Sequence, residues 1–228
     1  MLPGRELHHA GDGLLSAMAP GDRGAPYDRQ AAIYDGLVGN ALYNRVLWGA
    51  SIASYGAFAA SAVTAAAGPL LDVGCGSAVF TAPAYLAAER PLVLLDRSLG
   101  MLARAAKRLH GHDPARVCFV QADLFDLPFR AGSFTTVACH GLLHLFDDAA
   151  EVLRILNTQT TAGGSLYATS LVAETARGNW ALTQLHRAGE AALPRREREL
   201  AGLAATALQR AVRLRREGCM AFLTAGRI

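Results

Sequence analysis

The 228-residue chain has almost no lysine: Lys107 stands alone, and every other basic side chain is an arginine or a histidine. Its four cysteines, Cys75, Cys118, Cys139 and Cys219, never form a C-x-x-C pair, which argues against a disulfide framework and against a cysteine zinc site. Three of them lie in or beside strand-like runs, where free buried thiols are expected. Residues 1–20 hold no continuous apolar core behind basic charge, so no secretory leader is expected and a cytoplasmic location follows. The one stretch long enough to consider as a membrane span, residues 50–71, is broken by Ser51, Ser54, Tyr55, Ser61 and Thr64, and its end is needed as a strand. It reads as a helix packed on a sheet, so no membrane insertion is expected. Aromatic interleaving is missing from the arginine clusters at 195, 196 and 198 and at 210, 213, 215 and 216, so they read as solvated faces and not as a nucleic-acid surface. Net charge is only +3. Apolar content of 52% and a mean hydropathy of +0.21 are high, but much of this is alanine, which favours helix.

Against these absences stands one dense stretch, Leu70-Leu71-Asp72-Val73-Gly74-Cys75-Gly76-Ser77-Ala78. An apolar strand closes on an acid, and two glycines one residue apart lead into a helix-like segment. Gly74 and Gly76 can take positive φ and let the backbone approach a bound molecule closely. A dinucleotide fingerprint would need a third glycine at position 79, which is Val79. S-adenosylmethionine (SAM), with an ammonium group and no pyrophosphate, suits the acid two places before Gly74 better. A second strand-like run, Pro91 to Leu95, closes on Asp96, 20 residues past Gly76, where a carboxylate can accept both ribose hydroxyls. A third, Arg116 to Val120, leads into Gln121-Ala122-Asp123-Leu124, and a carboxylate there can accept from an adenine amino group. Aspartate is depleted in strands and expensive to bury unpaired, so three strands ending in acid are hard to explain by packing alone.

With LLDVGCGSA (70–78), LDRSLGMLARA (95–105), VQADLFDLPF (120–129), GSFTTVACHGLLHLFDD (132–148) and EVLRIL (151–156) before AGGSLYATSL (162–171), the chain resembles the class I SAM-dependent methyltransferases. Within them it is most similar to the small-molecule branch that includes the ubiquinone/menaquinone C-methyltransferase-like (type 11 domain) enzymes. The resemblance runs from about Tyr27 to the C-terminus. It implies SAM as cofactor and assigns Asp72, Gly74, Cys75 and Gly76 to its methionine end, Asp96 to the ribose, Arg97 to the flank of the adenine, and Asp123 and Leu124 to the adenine edge. Met101, inside the second motif, falls to the cofactor shell. His140 falls near the methyl sulfonium, and Tyr27 and Tyr34-Asp35 resemble the N-terminal helix that closes over SAM. Departures from the family pattern are Ala78 for a glycine, Thr135 for the aspartate after Phe134, His140 for a small residue, Leu145 for a second histidine, and residues 157–161 without a Lys-Pro.

The expected architecture is α/β: a Rossmann-like, doubly wound, mostly parallel seven-stranded sheet with a C-terminal antiparallel hairpin and an N-terminal helical cap. Residues 1–24, rich in Gly, Pro and Ala, are expected to be a mobile segment. Residues 25–228 are expected to be one domain, with the cap at 25–66 (helices at 27–39 and 42–66) and a lid insertion at 173–206. Candidate bases are His140 and His144, because imidazole titrates near pH 6.5. Their spacing of four could chelate a metal on a helix, but they straddle a strand-to-helix turn without a third ligand, so no metal site is expected. Tyr27, Tyr34, Tyr43, Trp48, Trp180 and His186 would roof the pocket, which suits a hydrophobic or aromatic small-molecule acceptor methylated at oxygen or carbon, as in secondary metabolism. Two alternatives stay open: a cyclase- or decarboxylase-type use of SAM without methyl transfer, and a non-catalytic SAM-fold binding protein. A homodimer is also left open.

Overall fold

The computed structural model of the chain describes residues 1–2, 6–19, 22 and 40–226. Nine strands form a single sheet among them. In chain order they are β1 (His8–Gly11), β2 (Leu14–Ser16), β3 (Leu70–Val73), β4 (Leu92–Asp96), β5 (Val117–Gln121), β6 (Phe134–Cys139), β7 (Thr160–Leu171), β8 (Val212–Glu217) and β9 (Met220–Ala225). Their order across the sheet is β1-β2-β5-β4-β3-β6-β7-β9-β8. Strands β2 to β7 pair in parallel, while β9 and β8 close the sheet as an antiparallel hairpin. The expected mostly parallel Rossmann-like sheet is present, with two strands more than the seven expected.

Those two extra strands correct the expectation for the N-terminus. Residues 8–16, expected to belong to a mobile segment, form a hairpin whose second strand adds to β5, with Ser16 opposite Gln121. Asp12 (φ 47°) and Gly13 (φ 75°) supply the two left-handed residues that a tight hairpin turn needs.

Among the described residues, the α-helices of five residues or more are α1 (Ile52–Thr64), α2 (Ala82–Leu86), α3 (Leu99–Arg108), α4 (Ala149–Gln159), α5 (Ala176–Arg187) and α6 (Glu197–Leu208). Their starts are written locally. Ser51, Ser98, Asp148 and Thr175 each accept a backbone N–H of the first turn as N-caps. Strand β3 is buried along its whole length, as a central parallel strand should be. One face of the sheet is closed by α4 and α6 through Val152, Leu153, Leu156, Leu200, Ala204 and Leu208. The opposite face is closed by α2 and α3 through Ala82, Tyr85, Leu102 and Ala105.

The cap and lid differ from expectation in their details. The helix expected over 42–66 is broken: a π-helical turn, Asn44–Trp48, ends at Gly49 in the left-handed region (φ 66°), and α1 restarts behind Ser51. The helix expected at 27–39 lies outside the described residues. The lid expected at 173–206 divides, because α5 packs beside the cap turn whereas α6 buries Leu200, Ala204 and Leu208 in the main core.

Candidate active site

Parallel strands β3 to β6 all point their C-terminal ends to one edge of the sheet, and the order β4-β3-β6 places the topological switch point between β3 and β6. Ligands of doubly wound sheets bind outside such a switch point. Four loops meet there. After β3, the backbone N–H groups of Gly74 and Cys75 both donate to the Leu95 carbonyl (2.8 and 3.0 Å), which ties the glycine turn to the end of β4. Gly74 takes φ 70°, and a β-carbon on it would sit 2.8 Å from Leu142 Cδ2, so the loop after β6 presses directly on this turn. Gly76 takes φ 54° with nothing within 4 Å of where a β-carbon would stand, an open cradle for a ligand beside the backbone. Ala78, in the place of the usual glycine, is itself held at φ 55° and buried.

Asp96, at the tip of β4, accepts the Gly76 N–H at Oδ2 (2.8 Å) and the Ser98 N–H at Oδ1 (2.9 Å). Burial raises its pKa, and those two amides hold the rise in check. Asp123 caps the turn at Leu124–Asp126 through Oδ1 to the Phe125 N–H, while its Oδ2 lies 3.6 Å from Arg97 Nε. The exposed Arg97 thus spans the loops after β4 and β5. Met101 is buried in the first turn of α3, where its N–H donates to Ser98 Oγ, and Leu124 is buried in the core. Cys75 is buried, with its sulfur against the Gly76 carbonyl. Asp72 lies within β3 beneath the glycine turn. It has no exposed surface; Oδ2 accepts from Tyr85 Oη at 2.7 Å, Oδ1 has no partner, and burial pushes the carboxyl up to about 7.

His140 follows β6. Its ring meets Phe58 of α1 edge-on at 5.9 Å, its Nε2 is buried without a partner, and burial lowers its pKa to about 4. Phe58 also packs against Tyr167 (5.3 Å) and Phe222 (5.2 Å), so one side of His140 is an aromatic wall. His144 sits in the next turn with its Nδ1 buried and unpartnered; burial, then the Arg195 guanidinium, lower its pKa to about 4 as well. Arg195 was expected on a solvated face. It is instead half-buried and clasps the His144 turn, donating to the carbonyls of Leu143, Phe146 and Asp147. Trp48 is buried with Tyr55 and Phe58, as a roof residue would be, but Trp180 is 64% exposed and His186 is exposed, so neither lines this site. The bulky indole faces outward into a cleft between Val46, Leu47, Ala176 and Arg177. Tyr27, Tyr34 and Asp35 lie outside the described residues.

Residues 71–168 match the family described as methyltransferase domain. Those residues carry a methyltransferase domain. An uncharacterised protein of Synechococcus sp. is 35% identical over 102 residues, which is 43% of this chain and 24% of that protein. An O-methyltransferase family protein from Burkholderia thailandensis is 22% identical, with a TM-score of 0.68 over 87% of this chain and 60% of that one. A geranyl diphosphate methyltransferase solved with geranyl diphosphate and sinefungin is 13% identical, with a TM-score of 0.60 over 77% of each chain. The chain thus spans a quarter of the length of the Synechococcus relative and three-fifths of the Burkholderia chain. Among the described residues, no helix is long and apolar enough to cross a membrane. SAM is the cofactor of such a domain. The residues present fit it: an open cradle at Gly76, a carboxylate at the tip of β4, and two buried polar atoms without partners, Asp72 Oδ1 and His140 Nε2, flanking the switch point.

Proposed function

We propose that this methyltransferase acts on an oxygen or carbon of a hydrophobic or aromatic small molecule, with His140 as the group that takes the acceptor's proton. The observation that carries this reading is the buried, unpartnered Nε2 of His140 beside Phe58, in a loop pressed onto Gly74. Asp96 would hold the ribose, Asp123 with Leu124 the adenine edge, and the turn Gly74–Gly76 the methionine end; Asp72 would support that turn from beneath. When bound, SAM supplies an electrophilic methyl group. The protein's share is to orient an acceptor, exclude water and remove one proton. Burial keeps the His140 imidazole neutral from about pH 4 upward, so it is ready to accept a proton throughout the physiological range. Its low basicity is sufficient for this purpose. As an oxygen or ring carbon is alkylated, its proton becomes strongly acidic, and a weak neutral base removes it. A desolvated imidazole against aromatic rings also selects for a neutral, apolar acceptor.

Two outcomes test the assignment. Asp96→Ala removes the ribose acceptor together with the partner of the Gly76 and Ser98 amides, so affinity for SAM and for S-adenosylhomocysteine should fall about 10- to 100-fold, equivalent to about 1.5–3 kcal/mol. Titration calorimetry reads this, and an unchanged affinity would remove Asp96 from the site. His140→Gln should lower turnover about 100-fold while leaving S-adenosylhomocysteine affinity within twofold. In the unaltered protein the acid limb of the rate profile should lie near pH 4 and not near 6.5, because the imidazole charges only below about 4. Full activity of His140→Gln would make His140 a wall of the pocket. Release of S-adenosylhomocysteine into solution is the readout that distinguishes methyl transfer from other uses of the cofactor.

A further inference from the structure

We propose that Gln121, held in place by the N-terminal hairpin, is a positioning residue for the adenine side of the cofactor site, an inference that rests on the SAM-binding role given above. Gln121 is the last residue of β5 and is 1% exposed. It stands in register between Ser16 of β2 and Asp96 of β4, so three adjacent strands end in one row. The side-chain amide fills this position completely. Oε1 accepts from Ser16 Oγ at 2.7 Å, while Nε2 donates to the Arg97 carbonyl and to the Asp22 carbonyl, both at 3.1 Å. The amide's orientation is fixed by its surroundings: the Asp22 and Arg97 carbonyls can only accept, so Nε2 faces them, and Oε1 is left to take the proton of Ser16 Oγ, which itself accepts the Met18 N–H (3.0 Å). The Gln121 main chain joins in, its carbonyl accepting from Ala17 N–H at 2.9 Å.

The consequence falls on Arg97. Its carbonyl is anchored by Gln121 on one side of the loop, while its guanidinium reaches Asp123 on the other. Arg97 directly follows Asp96 and precedes Ser98, whose N–H holds Asp96 Oδ1. One buried amide thus sets the path of the backbone between the ribose acid and the adenine-side pair. Glutamate would set its lone pairs against two carbonyls, and leucine would take the acceptor from the Ser16 proton and the Nε2 donor from the Arg97 carbonyl. A preset loop binds more tightly because less order has to be imposed on binding. The hairpin at residues 8–16, absent from the expected seven-stranded sheet, supplies the hydroxyl that locks the amide.

Titration calorimetry with S-adenosylhomocysteine on the full chain tests this. Gln121→Leu and Ser16→Ala should each raise Kd about 5- to 20-fold, and the double variant should be no worse than Gln121→Leu alone, since both act through one network. Leu208→Ala, a core change in α6 on the β7–β9 side of the sheet, serves as the stability control. At a temperature where every variant is folded it should leave Kd within twofold. Unchanged Kd in Gln121→Leu and Ser16→Ala would overturn the proposal, as would an equal loss in Leu208→Ala, which would tie the effect to global stability. Should Gln121→Leu fail to fold, the single-atom change Ser16→Ala decides. Failure of the unaltered protein to bind S-adenosylhomocysteine would instead overturn the cofactor assignment, and this inference with it.

Discussion

Replacing Arg90 with methionine is expected to lower the stability of the fold by about 3–5 kcal/mol, read as a fall of roughly 10–15 °C in Tm. Arg90 is 7% exposed and surrounded by neutral acceptors. Nε donates to the Gly68 carbonyl at 2.6 Å; Nη1 donates to the carbonyls of Ala62 and Val63 and to Thr136 Oγ1; Nη2 donates to Thr135 Oγ1 at 2.7 Å. The carbonyls of Ala62 and Val63 belong to the last turn of α1, which lacks intrahelical donors, so the guanidinium caps that helix and pins it to the start of β6. Methionine fills most of the volume but returns none of these hydrogen bonds, and the acceptors it strands are buried. Burial lowers the Arg90 pKa, yet a guanidinium stays charged at any pH at which the protein is folded. Lysine offers one point charge in place of a fork and should recover no more than half of the loss. Arg213→Met, on the exposed strand β8, should change stability by no more than about 0.5 kcal/mol and serves as the comparison. A melting temperature for Arg90→Met within 3 °C of the unaltered protein would show that water reaches and satisfies those carbonyls.

The strand-end acids and the glycine turn were legible in the chain because an apolar run that stops on aspartate has few physical explanations. Asp72 lies within β3, Asp96 ends β4 and Asp123 follows β5, three neighbouring parallel strands. Arg90 was not legible. It sits in Ala88-Glu89-Arg90-Pro91, which reads as an ordinary polar turn before a strand, and nothing local announces that a helix end and two threonines converge on it. The departure at Thr135 was visible, but only the structure gives its sense: a neutral hydroxyl accepts from Arg90 and donates to the Ala67 carbonyl, where an acid would have formed a buried ion pair. The N-terminal hairpin did leave a signal, Asp12-Gly13, the dipeptide of a tight hairpin turn, but its short flanks lack β-branched residues and alternation. Arg195 was misjudged for the same reason as Arg90. A charged residue in a polar run is solvated in most proteins, and its exceptions depend on tertiary contacts that no local pattern carries. The break at Gly49 was hidden by the helix-favouring residues on either side, and what packs against it, Gly218 in the tip of the C-terminal hairpin, lies 169 residues away in the chain.

That tip leads to the other large expected effect. Gly218→Ala should destabilise the protein by about 3 kcal/mol or more and lower turnover much further than it lowers cofactor affinity. Gly218 has φ 58°, and a β-carbon there would lie 2.2 Å from the Trp48 carbonyl oxygen and 2.6 Å from the Gly49 carbonyl. Both are backbone atoms, so the collision is relieved only by moving one segment off the other. The contact is held by more than packing: Cys219 N–H donates to the Trp48 carbonyl at 2.7 Å, and the Glu217 carboxylate accepts the Ser51 N–H at 2.8 Å and the Ser54 hydroxyl. Prising the tip away therefore strands the N-terminal end of α1, the helix whose C-terminal end Arg90 holds. Between those two anchors lies Phe58, which sets the aromatic face beside His140. Left-handed φ by itself costs an alanine about 1–2 kcal/mol, and Gly189→Ala isolates that part, since Gly189 has φ 75° with open space around it. A loss for Gly218→Ala that exceeds the Gly189→Ala loss by about 2 kcal/mol in denaturant titration would measure the backbone collision. With folded Gly218→Ala protein, kcat/KM for an acceptor should drop at least tenfold while S-adenosylhomocysteine Kd stays within about twofold, because the ribose and adenine loops are tied to the ends of β4 and β5. Equal losses in both quantities would mean that the hairpin tip supports the whole site and not the His140 side alone.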